Sequence, residues 1–166
     1  MPTKTMEDLF LDGIKDIYYA ERKIIAGLKK MIRGADAQDL KAAFDKHLQE
    51  TEGQVERLVQ VFELLGKPAR GKTCPAIDGI LEEGQEILEE FKDSPALDAG
   101  LLAAAQAVEH YEIARYGTLK SWAIQLGKND VAQLLDQTLA EETKTDQALT
   151  QLAEAKVNRE GKTKAA

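Results

Sequence analysis

The sequence of 166 residues holds a single cysteine, Cys74, so no disulfide can form within the chain. A thiol left unpaired in this way fits a reducing compartment. Prolines number four and aromatics make up 5% of the residues, against 31% charged. That balance reads as long helices rather than a sheet. Basic side chains are outnumbered 22 to 29, for a net charge of −7. A phosphate-binding surface needs a basic face, so no nucleic-acid partner is expected. No apolar run approaches the ~18 residues that a membrane span requires. Residues 1–10 also lack the basic-then-apolar pattern of a signal peptide. The expectation is a soluble cytoplasmic protein with no membrane partner. No nucleophile partner accompanies Cys74, which reads as an ordinary thiol in a connector.

What is present is helical periodicity. Phe10, Ile14, Ile17, Ile24, Ile25, Leu28 and Ile32 predict a first helix over about residues 5–33. Gly34 is its expected C-cap, and Asp36 the expected cap of the next helix. That helix spans about 37–65 on Leu40, Phe44, Leu48, Val55, Leu58, Val61, Phe62 and Leu65, and Gly66 and Pro68 stop it. A shorter helix, about 75–91, carries Ile77, Ile80, Leu81, Ile87, Leu88 and Phe91. Ser94 and Pro95 signal the start of a third long helix, to about 126, with Leu101, Ala105, Val108, Leu119, Ala123 and Leu126 inward. A turn at 127–130 leads into the last, to about 155, on Val131, Leu135, Leu139, Leu149 and Leu152. Short loops make each pair antiparallel. Two such pairs with one long connector predict an all-α four-helix bundle over 5–155, with a B–C crossover containing a short fifth helix. Residues 156–166 read as a polar, flexible tail.

The apolar stripes are interrupted by acids. Successive helical residues are ~100° apart, which puts Ile14, Ile17, Ile25 and Leu28 within ~40° of Glu21. Glu112 lies among Leu101, Ala105, Val108 and Leu119, with Glu109 to one side. Glu142 is flanked by Val131, Leu135, Thr138 and Leu149, with Asp146 beside it. His47 shares its line with Thr51 and Gln54, and Glu50 stands at the edge. Each alone has a bland explanation, a salt bridge to Arg22 or Arg115 or a satisfied core histidine. All of them fall near their helix midpoints, which coincide in an antiparallel bundle. Carboxylates converging in a dry interior must be neutralised, and divalent cations with oxygen and imidazole ligands do this. His110 faces away and reads as surface. Tyr111, Trp122, Ala104 and Arg115 share a flank outside the stripe and point to a homodimer interface.

The stretches 7–10, 16–21, 47–54, 109–114 and 116–119, with Glu141, Glu142 and Asp146, resemble the YciE/YciF family of ferritin-like bacterial stress proteins. The resemblance runs from residue 5 to about 155. It implies a ferritin-like bundle, a stress role, and a metal site drawn from Glu21, His47, Glu50, Glu109, Glu112, Glu142 and Asp146, holding iron or manganese as a single ion or a pair. Di-iron bundles use a Glu-x-x-His on each of two helices. Here Gly53 and Thr145 follow Glu50 and Glu142 at that spacing. A rearranged, a mononuclear and a vestigial site are therefore the alternatives. Whether any catalysis occurs is left open. The competing class is a non-catalytic helical adaptor whose polar layer sets helix register.

Overall fold

The computed structural model describes residues 3–162, which form helices and, among them, no strand. The helices are α1 (Met6–Gly34), α2 (Gln38–Leu64), α3 (Pro75–Glu90), α4 (Leu97–Gln125) and α5 (Asn129–Leu152). A π-helical turn, Ala153–Val157, and a final short α6, Asn158–Gly161, continue α5. No helix among the described residues is long and apolar enough to cross a membrane.

Local chemistry sets the ends. Thr5 starts α1 with a reciprocal cap: its hydroxyl accepts from the Asp8 N–H at 3.2 Å, and the Asp8 carboxylate accepts from the Thr5 N–H at 2.8 Å. Gly66 and Gly127 take φ values of 62° and 71° and close α2 and α4 in the left-handed conformation that suits glycine. Two expected caps differ. Gly34 is the last residue of α1 rather than a left-handed cap, and Ala35 follows it in extended backbone. Its smallness is steric, because a Cβ there would strike the Leu88 side chain. Asp36 does not cap α2. The Asp98 carboxylate, reaching across from α4, accepts from the N–H groups of Asp36 at 2.8 Å and Ala37 at 2.7 Å.

Residue pairs give the helix directions. Glu50 meets Thr145, Gln54 meets Glu141 and Arg57 meets Thr138, so α2 and α5 run antiparallel. Gly13 lies against Leu119 while the Asp36 N–H meets Asp98, so α1 and α4 are antiparallel too. It follows that α2 and α4 point the same way, and residues 65–96 run the length of the molecule to join them. Within that connector α3 packs along the α1/α4 groove. Its Leu81 sits over Gly27 and its Ile87 over Gly100. The Tyr19 hydroxyl donates to Asp78 at 2.9 Å.

The core follows the apolar stripes: Phe10, Ile14, Ile17 and Ile24, then Leu40, Phe44 and Phe62, then Leu101 and Leu119, then Leu135 and Leu149 are all buried. Burying each such side chain stabilises the fold by about 1.5–3 kcal/mol. The expected tail begins later than the pattern indicates. Helix persists to Gly161, and Val157 is buried where α6 and its preceding turn meet α4. One apolar residue among charges is too weak a periodic signal to reveal this. Residues 163–166 of that expected tail lie outside the described residues.

Candidate metal centre

Halfway along the bundle the core changes character. Glu21 on α1, His47, Thr51 and Gln54 on α2, Glu109 and Glu112 on α4, and Thr138, Glu142 and Thr145 on α5 are all buried. Helical spacing places them there. Residues 109, 112 and 116 lie on one face of α4, and 47, 51 and 54 on one face of α2.

His47, Glu109, Glu112 and Glu142 each offer a ligand atom, and these atoms lie within 4.8 Å of one another. The Nε2 of His47 approaches Glu109 Oε1 at 2.6 Å. That contact is not aligned as a hydrogen bond, so both ring nitrogens of His47 and both oxygens of Glu109 stay without a hydrogen-bond partner. The same holds for both oxygens of Glu112 and of Glu142 and for Oε2 of Glu21. The other oxygen of Glu21 accepts from the Tyr116 hydroxyl at 2.5 Å.

The electrostatics follow from burial. Glu21 is pushed up to about 8, by desolvation first and the Glu142 charge second, although Glu112 and Tyr116 work the other way. Desolvation and then Glu142 push Glu109 up to about 12. Glu112 is held well above its ordinary range for the same reasons. Desolvation lowers His47 against the pull of Glu142 and Glu50, so its imidazole is neutral and able to bind through a lone pair. Without an ion, Glu21 and Glu109 keep their protons at pH 7. A cation of sufficient affinity would displace them.

The donor set fits a divalent ion. Native proteins pair nearly all buried polar atoms, and leaving one unpaired costs about 1–3 kcal/mol, more for charged groups. Here, apart from the amide oxygen of Gln54, the orphaned atoms are carboxylate oxygens and imidazole nitrogens, which are ligands for iron, manganese or zinc. His47, Glu109, Glu112 and Glu142 could hold it.

Two of the residues expected as ligands stand elsewhere. Glu50 accepts from the Thr145 hydroxyl at 2.9 Å and lies 3.5 Å from the Lys46 ammonium. Asp146 lies 3.1 Å from the Nε2 of the exposed His110 and accepts from Gln106 at 3.3 Å. Both sit at the edge of the layer. The flank residues have neighbours inside the chain: the Tyr111 hydroxyl donates to Asp16 at 2.6 Å, and Arg115 stacks on its ring. Cys74 is buried and caps α3, its sulfur accepting from the Ile77 N–H at 3.4 Å.

Sequence reasoning overlooked two features. Tyr116 is buried and bonded to Glu21, and its position four residues after Glu112 was the available signal. Glu141 receives both guanidinium arms of Arg57, at 3.0 and 2.8 Å, and the Gln54 amide at 3.0 Å. No local pattern announces that pair, which is 84 residues apart in the chain.

A helical bundle with parallel second and third long helices and a carboxylate–histidine layer at mid-height defines a ferritin-like protein. The chain belongs to the family described as Domain of unknown function (DUF892), which matches residues 5–162. It is 44% identical over 166 residues to Protein YciF of Escherichia coli (strain K12), across 99% of this chain and all of that protein. The crystal structure of the E. coli stress protein YciF superposes with a TM-score of 0.89, covering 95% of this chain and 99% of that one. A protein of Rhodopseudomonas palustris called YcfI, described as a candidate structural protein, is 50% identical with a TM-score of 0.86 over 89% of this chain and 94% of its own. A Xanthomonas campestris protein at 22% identity and a TM-score of 0.73, over 93% of this chain and 94% of its own, shares the fold.

Proposed function

We propose that this chain is a cytoplasmic, ferritin-like stress-response protein built on a four-helix bundle with a long crossover. Its function is to hold iron or manganese among Glu21, His47, Glu109, Glu112 and Glu142. One observation carries this: four ionisable side chains with ligand atoms within 4.8 Å of each other, all buried, and without hydrogen-bond partners. Charge balance supports a pair of ions. Glu21, Glu109, Glu112 and Glu142 would carry four negative charges when ionised, which two divalent cations offset while His47 stays neutral. When bound, such ions supply Lewis acidity and a redox couple toward oxygen or peroxide. The chain's own part is to exclude water, through Ile17 and Val108 in the surrounding core, and to hold Glu21 by the Tyr116 hydroxyl. The stress role rests on the E. coli relative, which is called a stress protein.

The second reading is a metal-free layer that sets helix register. The 2.6 Å approach of His47 to Glu109 favours it, as do Glu21 and Glu109, which burial pushes up to about 8 and about 12 and so keeps neutral at pH 7 without an ion. We also propose a homodimer through the α4 flank of Tyr111, Arg115 and Trp122, beside which Leu9 of α1 remains about half exposed. Light scattering at the mass of one chain would remove that part.

Elemental mass spectrometry on protein purified without a metal-affinity tag or chelator decides between the two readings. Metal binding predicts about two equivalents of iron or manganese by the charge balance above, lost in a Glu21→Ala/Glu142→Ala double variant. Mn(II) at 100-fold above Kd adds about 2.7 kcal/mol to stability for each site filled, and a chelator removes it. A zero count that stays zero after incubation with Fe(II), Mn(II) and Zn(II) leaves the register layer standing.

A further inference from the structure

Glu50 and Asp146 stand just outside the buried cluster, on the two seams that α5 makes with its neighbours. Their surroundings differ. On the α2/α5 seam, Glu50 is held by the Thr145 hydroxyl and faces the Lys46 ammonium, whose side chain is 70% exposed. A positive charge at that mouth repels an incoming cation. On the α4/α5 seam, Asp146 lies one turn beyond Glu142 and beside the imidazole of His110, with the Gln106 amide as its other partner. The His110 side chain is 68% exposed and that of Asp146 19%.

His110 directly follows Glu109 in α4. Asp146 follows Glu142 by one helical turn, and Glu142 and Glu109 have ligand atoms within 4.8 Å of each other. The Asp146 charge adds to the upward shift of Glu109 that burial and Glu142 produce first. Both oxygens of Glu109 are buried without hydrogen-bond partners, and one lies 2.6 Å from His47. From solvent inward there is thus an exposed imidazole, a part-exposed carboxylate, a buried partnerless carboxylate, and a buried imidazole. Each is a ligand for the same borderline divalent ions.

We infer that divalent cations reach the buried cluster through the α4/α5 seam, captured by His110 and Asp146 and passed to Glu109, and not past Glu50. This rests on the metal binding proposed above. Asp146 and His110 are carriers that govern how fast the cluster fills, and they are absent from its final ligand set.

The test is Mn(II) uptake by the full chain after rapid mixing, followed by loss of the free-ion electron paramagnetic resonance signal. Asp146→Asn should fill about tenfold more slowly, the low end of what a charge-lined approach contributes to association, with unchanged final stoichiometry. His110→Ala should slow filling in the same direction, and Glu50→Gln should fill at the wild-type rate. Circular dichroism checks that each variant keeps its helices. Filling of Asp146→Asn at the wild-type rate, or a lower final stoichiometry in it, overturns the inference while leaving metal binding intact. No uptake by the wild-type chain overturns both.

Discussion

Glu141 and Glu142 are neighbours in the chain and opposites in the fold. Glu141 faces the α2/α5 seam, where Arg57 grips it with both arms and Gln54 adds a third donor. Burial works against its charge, but Arg57 and Gln54 win and hold its carboxyl below the ordinary range. Glu142, one residue on and ~100° round the helix, points into the cluster and has no hydrogen-bond partner for either oxygen. The fold completes the first carboxylate from within and leaves the second open. An internal salt bridge between α2 and α5 is a register device that needs no ligand. A group of orphaned carboxylates around a neutral imidazole makes sense only with protons or a cation.

The largest way to test that contrast is pH. In metal-free protein the folded chain binds more protons than the unfolded one between the ordinary carboxyl value of 4.5 and the raised value of Glu21, about 8. Its stability from this source is fully present below 4.5 and is lost as pH rises through 8, with Glu109 and Glu112 acting in the same direction. His47, lowered by burial, opposes them over the part of that range below 6.5. The net expectation is a loss on the order of a few kcal/mol from pH 5 to pH 8, measured by urea unfolding of chelator-treated protein. Metal-loaded protein should show the reverse slope, because the ion competes with protons. Identical slopes in both forms would refute the metal site.

Paired substitutions of the two adjacent acids come next. Glu141→Gln should cost about 2 kcal/mol, since it leaves a half-buried Arg57 without its counter-charge, and metal uptake should survive. Glu142→Gln should instead stabilise metal-free protein by about 1 kcal/mol by removing a charge that bears on Glu21, Glu109 and Glu112, and should abolish uptake. Equal destabilisation by both would mean that Glu142 is structurally satisfied and the contrast is wrong. The smallest effect is a control. Cys74→Ala removes the α3 cap and should cost about 1 kcal/mol in thermal unfolding, equally with and without Mn(II) and at every pH.

Much of this was legible because helices write their packing into period. The stripes placed Ile14 and Leu28 inward, and the same arithmetic turned Glu21, Glu112 and Glu142 inward at a common height. It is least decisive at the margins of the stripe. Asp146 and Glu50 stand close enough to the interior direction that angle alone does not decide them, and their partners His110 and Thr145 draw them to the edge. Tyr116 was overlooked because an aromatic ring in a stripe looks like packing, whereas its hydroxyl serves Glu21.

Local sequence therefore determined the helices, their apolar faces and the convergence of buried acids, since each depends only on the 3.6-residue repeat and on side-chain chemistry. The tertiary structure alone decided which carboxylates are paired and which are not. Arg57 and Glu141, or Asp98 and the start of α2, meet only once helices distant in sequence lie side by side. A hydrogen bond depends on fractions of an ångström between side chains, and those distances exist only in the packed bundle.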